Sequence, residues 1–372
     1  MPIKHFTRGI FDGPHATPPE ATDGPVFLGI KNITSDGRLD MSEVRHVGEN
    51  HFPRWTRRVT PQEDDVVFTY EATLHRYARI PEGFRGCLGR RVALVRPDPE
   101  KLESRYLLYF FLSPNWHATI DPFIITGATV DRIPIEKFPD IQVEFPPLPT
   151  QHRIADILSA YDDAIENNRR RIKLLEDAAR HLYEEWFVRL RFPGHERVRI
   201  KDGVPEGWES RTLGTHAGLH YGKGLRKDDR VEGPFPVYGS SGIVGTHDEA
   251  LVKGPVIIVG RKGTVGSVIW SQGDCWPIDT VYFIPPEKST LYLYHNLQYQ
   301  NFISTDVAVP GLNRSYAHSL PVLVPPPTLE SEFESFAGDA YGQINALRRT
   351  NTALRRSRDL LLPQLMSGEI AA

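Results

Sequence analysis

Ile154, Leu158, Tyr161, Ile165, Asn168, Ile172, Leu175, Ala179, Leu182 and Trp186 follow one another at alternating steps of three and four residues, with mostly polar residues between them. Phe333, Ala337, Ala340, Ile344, Leu347, Asn351, Leu354, Arg358, Leu361 and Leu365 do the same. That spacing lines one face of a helix, and about five heptads of it make a seam for a partner helix. Long helices are therefore predicted over residues 150–190 and 329–363, the second stopped by Pro363. Before each seam the chain reads differently. Short apolar, β-branched runs such as Val66-Val67-Phe68-Thr69-Tyr70, Arg91-Val92-Ala93-Leu94-Val95, Pro255-Val256-Ile257-Ile258-Val259 and Val281-Tyr282-Phe283-Ile284 are punctuated by Gly and Pro, as strands joined by turns are.

The order is globule, helix, globule, helix, and it is a duplication. At an offset of about 179 residues Ile154 matches Phe333, Ile157 matches Phe336, Ile165 matches Ile344, Arg169-Arg170 match Arg348-Arg349, and Leu182 matches Leu361. A proline run, Pro146-Pro147-Leu148-Pro149 or Pro325-Pro326-Pro327, precedes each helix. Such a period is far longer than that of a solenoid and marks a doubled half. The globules match more loosely: Val67 to Ala78 aligns with Ile257 to Val268, each a strand, a polar hairpin loop and a second strand, with a lone cysteine further on. Another matched loop is Gly127-Ala128-Thr129-Val130-Asp131-Arg132 with Gly311-Leu312-Asn313-Arg314-Ser315-Tyr316. The fold class expected is α+β: two β-rich globules joined by two long helices packed as an antiparallel coiled coil, with pseudo-twofold duplication. The segments are 1–147, 148–192, 193–326 and 327–372.

Each seam carries one asparagine. Run antiparallel, the seams place Asn168 opposite Asn351, Ile154 opposite Leu365, Ile165 opposite Leu354, Leu175 opposite Ile344 and Trp186 opposite Phe333. Matched asparagines fix a coiled-coil register that apolar layers alone leave free to slip by a heptad. About 36 residues of helix span roughly 50 Å, against roughly 34 Å for a turn of B-DNA. A duplicated protein of this form can hold two similar but non-identical surfaces at a fixed spacing.

Composition narrows the class. The 372 residues carry a formal net charge of −3, so any nucleic-acid contact depends on local patches. Two cysteines, Cys87 and Cys275, form no Cys-x-x-Cys motif, which argues against a zinc site or a disulfide framework and for a reducing, cytoplasmic setting. The longest apolar run, Tyr106 to Leu112, is far short of a membrane span. Enzymatic signatures are missing. Gly239 to Thr246 lacks the lysine of a phosphate-binding loop, His216 and His220 lack the glutamate of the helical zinc motif, and no dinucleotide fingerprint or base-flipping Asn-Pro-Pro loop occurs. Asp162-Asp163 and Glu184-Glu185 read as a solvated helix face. No catalytic residue, metal or cofactor is therefore expected in this chain. Loops rich in Gly, Lys, Arg and Ser, namely Tyr221 to Lys227, Val237 to Gly242, Gly29 to Asn32 and Arg54-Trp55-Thr56-Arg57-Arg58, suit close backbone approach and donation to phosphate or base edges.

The chain resembles the specificity subunits of type I restriction–modification systems over nearly its whole length. The resemblance is carried by Pro147-Leu148-Pro149-Thr150-Gln151-His152-Arg153-Ile154-Ala155, by Asp163-Ala164-Ile165-Glu166-Asn167-Asn168-Arg169-Arg170, by Trp186-Phe187-Val188 and by the terminal Arg358 to Ile370. Pro236 to Gly242 and Val259 to Thr264 add to it, whereas Pro327-Thr328-Leu329-Glu330 departs from it in lacking the Gln-Arg-type continuation. The resemblance implies two target-recognition domains, each reading one part of a split double-stranded DNA sequence, with the helices setting the gap. It further implies two methyltransferase (modification) subunits using S-adenosylmethionine, and restriction/translocase subunits using ATP and Mg, with no membrane association. The DNA contacts expected are Tyr70, Thr73, Arg76 and Tyr77 in the first globule and Lys223, Tyr238, Ser240, Arg261, Lys262, Thr264, Asn313 and Arg314 in the second. Exposed helix faces, with Trp186 and Phe187 near one end, are candidates for holding the modification subunits; burial within the chain is the rival reading for both aromatics and suits Trp186 better. An adaptor with no DNA role would instead show no salt-dependent DNA binding. The register has its own test: cysteines substituted for Asn168 and Asn351 should crosslink in the folded, oxidised protein, and failure to do so would sink the asparagine pairing.

Overall fold

The computed structural model describes residues 1–127, 130–303 and 311–372, so Ala128 and Thr129 of the first matched loop lie outside the described residues. Four helices organise the chain: α1 (Ser104–Leu112), α2 (Leu148–Tyr183), α3 (Leu291–Gln298) and α4 (Pro327–Ser367). The chain forms two compact units, Met1–Asn167 with Thr350–Ala372, and Asn168–Arg349. Each unit holds one globule together with part of α2 and part of α4.

In the first unit, β1 (Thr7–Asp12), β2 (Glu20–Leu28), β3 (Arg45–Val47), β4 (Val66–Thr69), β5 (Tyr77–Arg79), β6 (Gly86–Leu88) and β7 (Val92–Pro97) form two sheets, ordered β1-β7-β4-β5 and β3-β2-β6. Strand β4 is apolar at successive positions because it is buried on both faces. Val66 and Phe68 face one core with α1, while Val67 faces another with Leu94 and Leu88. The apolar run Tyr106 to Leu112 is a helix, α1, pressed between that first core and the long helices: Tyr106, Phe110, Ile154, Leu158, Leu362 and Leu365 share one cluster.

The second unit repeats the plan. Its strands β8 (His220–Tyr221), β9 (Phe235–Gly239), β10 (Gly242–His247), β11 (Val256–Gly260), β12 (Val268–Ser271), β13 (Trp276–Pro277) and β14 (Val281–Ile284) are ordered β8-β14-β11-β12 and β10-β9-β13. This is the order of β1 to β7 strand for strand, including the parallel pairing of β9 with β13 and of β2 with β6. Strand β11 is again buried on both faces, Ile257 and Val259 on one side, Val256 and Ile258 on the other. The cysteines fall at equivalent places, Cys87 in β6 and Cys275 before β13; both are free and buried, and burial pushes the thiols up to about 12 and about 11.

The helical seams are buried in both units. In the first, Ile154 packs in one cluster with Leu365, and Arg358 donates to Asp162, so the two helix segments run in opposite directions. Tyr109 of α1 donates to the other oxygen of Asp162 at 2.6 Å, and Asp162 is therefore a structural acid rather than a solvated one. In the second, Leu175 shares a cluster with Ile344, Arg348 donates to Glu176 at 2.7 Å, and Phe333 meets Tyr183 and Phe187 at 5.8 and 5.3 Å. Asn168 and Asn351 are buried, as seam positions should be. Pro363 does not end the second helix, which runs through it to Ser367. The lost backbone hydrogen bond is outweighed there by Leu362 and Leu365, whose burial in the first core contributes about 1.5–3 kcal/mol each. α2 passes into a π-turn over Glu184–Val188.

One strut ties each globule to its helix. Gln151, 1% exposed, accepts from the Glu103 amide at 2.9 Å and donates to Lys101 O at 3.1 Å and Pro146 O at 2.8 Å, clamping the start of α1. Its duplicate is Glu330, which reaches Thr290 at the start of α3, helped one turn on by Glu334, whose carboxylate accepts from Tyr292 N at 2.5 Å. This accounts for the departure at Glu330: a carboxylate accepts at a helix N-terminus where the amide both accepts and donates. Burial holds both acids above the ordinary carboxylate range. Gln151→Ala leaves one donor, the Glu103 amide N–H, and two acceptors, the Lys101 and Pro146 carbonyls, unmet, and should cost about 2–4 kcal/mol in urea denaturation; a loss below about 0.5 kcal/mol would show that the amide is not a strut.

Candidate nucleic-acid interface

Five loops of the second globule gather at one end of its sheets, and main-chain bonds hold them there. Gly222 N donates to Val281 O at 3.2 Å, Lys223 N to Pro277 O at 3.0 Å, Ile278 N to Tyr238 O at 2.9 Å, Arg261 N and Lys262 N to Thr280 O at 3.0 Å, and Leu312 N to Arg261 O at 2.8 Å. Thr264 N reaches Ser240 Oγ at 3.4 Å, and Ser267 Oγ donates to Ser240 O at 2.6 Å. Glycine is required where the loops touch: a Cβ on Gly222 would lie 2.1 Å from Ile278 O, and one on Gly260 2.2 Å from Thr264 O.

This rigid base displays cations on aromatic rings. Lys223 Nζ lies 5.6 Å from the Trp276 ring centre, and Trp276 Nε1 donates back to Lys223 O at 2.9 Å. The guanidiniums of Arg261 and Arg314 lie 5.0 and 4.8 Å from the ring of Tyr221, which is 49% exposed. Lys262, Thr264 and Asn313 are exposed beside them, and Asn313 caps the turn that carries Arg314 by accepting from Tyr316 N at 3.1 Å. Among the described residues none of Lys223, Arg261, Lys262 or Arg314 is ion-paired to a carboxylate. The two arginines, Lys223, Ser240, Lys262, Thr264 and Asn313 therefore share one surface. Tyr221 as their platform was missed, because a ring's role under two distant arginines has no signature in sequence. Tyr238 does not join them. It is buried with Val256 and Ile258, its hydroxyl pushed up by burial, since β9 turns that side chain inward.

The equivalent end of the first globule is built from the hairpin after β4 and the loops around Asp12, Arg91 and Asp131. Tyr70 N donates to Arg91 O at 3.2 Å, and Ala72 N to Asp131 O at 2.9 Å. Thr73 is half-buried in the hairpin, and Arg76, also half-buried, gives one nitrogen to Ile33 O at 3.1 Å. Two expected contacts are core residues instead. Tyr77 is 1% exposed, and its hydroxyl accepts from Trp116 Nε1 at 2.9 Å; Tyr70 is buried in the same core, its hydroxyl pushed up to about 12 mainly by burial. Both belong to the inward-facing set of their strands, so their rings are spent on packing. The main basic feature at this end is one the sequence had singled out as a string: Arg54, Arg57 and Arg58 with His15 and Trp55 line a cavity of about 430 Å³. Arg58 is held by Asp12, while Arg54 stacks 5.1 Å from the Trp55 ring.

On the helices, Phe187 is buried in the second core rather than offered to a partner, ringed by Tyr183, Tyr292, Trp208 and Phe333, because it continues the inward face of Ala179 and Tyr183; Trp186 is half-buried against the same cluster. The exposed apolar residues are others. Ile157 is 37% exposed and its duplicate Phe336 45%. Among the described residues no helix is long and apolar enough to cross a membrane, and no cluster of side chains suited to hold a metal ion occurs.

The sequence profile of the type I restriction modification DNA specificity domain matches residues 56–177 and again 205–330, more than half of the chain. The specificity subunit of the type I restriction enzyme MjaIX of Methanocaldococcus jannaschii is 23% identical over 99% of this chain and 88% of its own length. The putative MjaX specificity subunit of the same organism is 28% identical over 34% of the chain and 30% of its own length. Among solved structures, the S subunit of a type I system from M. genitalium superposes with a TM-score of 0.57, at 18% identity, over 98% of this chain and 95% of that one.

Proposed function

The chain belongs to the type I restriction–modification DNA specificity family, and we propose that each of its globules reads one part of a split DNA target while the helices set the gap and hold the modification subunits. A specificity subunit is the non-catalytic, DNA-recognising member of such a system. The observation that carries the proposal is the doubled sheet end: one strand order, two loop sets, and at each a group of arginines or lysines with no carboxylate partner among the described residues. Lys223, Lys262, Arg54 and Arg57 suit phosphates, fixing position with an affinity that falls as salt rises. Thr73, Arg76, Ser240, Thr264 and Asn313 suit base edges in the major groove. Loop chemistry differs between the ends: the hairpin carries Glu71, paired with Arg91 at 3.1 Å, where the other carries Arg261. Two ends that differ in this way suit an asymmetric target.

In this reading the methyl donor, ATP and Mg belong to the modification and restriction subunits, and the complex works in the cytoplasm. Co-expression of this chain with its modification subunit should place N6-methyladenine at a single split motif across the host genome. Exchange of one globule for that of a relative should change one half of the motif only. Methylation that persists unchanged when the chain is deleted would remove the specificity role.

The docking of modification subunits is supported by Ile157 and Phe336, exposed apolar side chains at duplicated positions, which suit two copies of one partner. Charge placed on either, Ile157→Asp or Phe336→Asp, should leave complexes carrying one modification subunit, and the double variant none, as read by native mass spectrometry. Full stoichiometry in the double variant would exclude these faces.

A further inference from the structure

The stack of Arg261, Tyr221 and Arg314 has more in it than a phosphate contact requires. Two guanidiniums sit within 5.0 Å of one ring centre, and like charges so placed repel. Arg261 is half-buried, gives Nη1 to Asp279 O at 3.0 Å and also faces the ring of Tyr282 at 5.8 Å. It is a fixed member of the platform. Arg314 is exposed, and its segment is held by Asn313 and by Tyr282, whose hydroxyl donates to Leu312 O at 2.9 Å. A guanidinium laid on a ring keeps its N–H edge free while losing much of its rotamer freedom before binding. Elsewhere arginines are tied to acids, such as Arg79 to Asp64 at 2.6 Å, Arg85 to Glu49 at 2.5 Å and Arg348 to Glu176 at 2.7 Å. Arg314 has no such partner among the described residues.

We propose that Arg314, positioned by Tyr221 and Arg261, reads a guanine in the half-site of the second globule. The inference rests on the DNA-reading function above. Guanine is the base that offers two adjacent acceptors, O6 and N7, on its major-groove edge, and a planar fork takes both at once. The paired acceptors also relieve the repulsion between Arg261 and Arg314. A lysine at 314 would keep the charge and lose the fork. The first globule has Glu71 at the place of Arg261, so the reading belongs to one half of the target only.

The test uses the chain in its complex with the modification subunit. The wild-type target is mapped first, and duplexes varied at each base pair are then bound at several salt concentrations. Arg314→Lys and Tyr221→Leu should each relax discrimination at one G·C pair of the second half-site by roughly 5- to 150-fold, leave the other positions strict, and, for the lysine, leave the salt dependence as it was. Three results would overturn the proposal. One is a second half-site without guanine. Another is Arg314→Lys behaving as wild type while Arg314→Ala weakens all duplexes alike and lowers the salt slope by about one, the mark of a phosphate contact. The third is a wild-type complex with no sequence preference at all, which would remove the functional reading itself.

Discussion

Burial of the two helical seams is the constraint from which the rest of the architecture follows. A helix of 36 or 41 residues cannot be covered by one small globule, and its seam demands a partner along its whole length. Within each unit the partner is a segment of the other helix, and the seam residues join the core of that unit's globule: Ile154, Leu158, Leu362 and Leu365 in one, Ala179, Phe333, Ala337 and Ile344 in the other. Neither core is complete without residues from both helices. Cutting the chain between globule and helix would therefore expose apolar surface on both pieces, which is why the compact units cross the serial order of the sequence. The polar contacts placed at these junctions, Asp162 with Tyr109 and Arg358, and Glu176 with Arg348, are orienting devices more than sources of stability. The partly buried pair of Asp162 and Arg358 returns little beyond its desolvation cost, yet is costly to break once one partner is removed, whereas the exposed pair of Glu176 and Arg348 contributes little either way.

Duplication then lets the frame stay constant while the loops vary. The strand order, the two-faced burial of β4 and β11, the buried cysteines and the strut of Gln151 or Glu330 recur because each meets the same packing demand twice. Even the exception obeys the rule: Glu330 replaces Gln151 by accepting from the hydroxyl of Thr290, the residue that caps α3, while Glu334 accepts from the Tyr292 amide. At the sheet ends nothing imposes such sameness. Glu71 and Arg261 occupy matched hairpins with opposite charge, each held by a local contact of its own, Glu71 with Arg91 and Arg261 with Asp279 O.

That division also decides what the sequence discloses. Periodic burial leaves a periodic record, so the seams, their antiparallel pairing within each unit and the doubling of the globules were legible before any coordinates. Residue roles at strand ends were less so. Tyr70 and Tyr77 flank a polar hairpin and look like readers of a groove, but the alternation of the strand sends both rings into the core, and a single exposed-looking string does not show which alternate residues point in. Phe187 is buried because the inward face continues from Ala179 through Tyr183 at steps of four rather than through Leu182 and Trp186, a drift that the alternating spacing does not signal. Pro363 looked like a stop because the local cost of proline is visible in sequence whereas the long-range contacts of Leu362 and Leu365 are not. Tyr221 lay in plain sight within a Gly-Lys-rich string, but its value comes from Arg261 and Arg314, which reach it only through the folded loops.

Net charge is the last quantity that the fold reinterprets. A chain with formal charge −3 is a poor polyanion ligand as a whole. Its acids, however, are not evenly available. Asp64, Asp65, Glu103, Asp162 and Glu176 are each committed to an arginine of the frame. Arg54, Arg57, Lys223, Lys262, Arg261 and Arg314 have no carboxylate partner among the described residues, and they lie in the loops at the sheet ends. Those cations are thus left unneutralised by the acids of the frame although the molecule as a whole is slightly acidic. In the proposed role, such a distribution suits contact with a polyanion at the loop ends. Selectivity for the ends over the frame is therefore written first in where the acids sit, and only then in which side chains the loops extend.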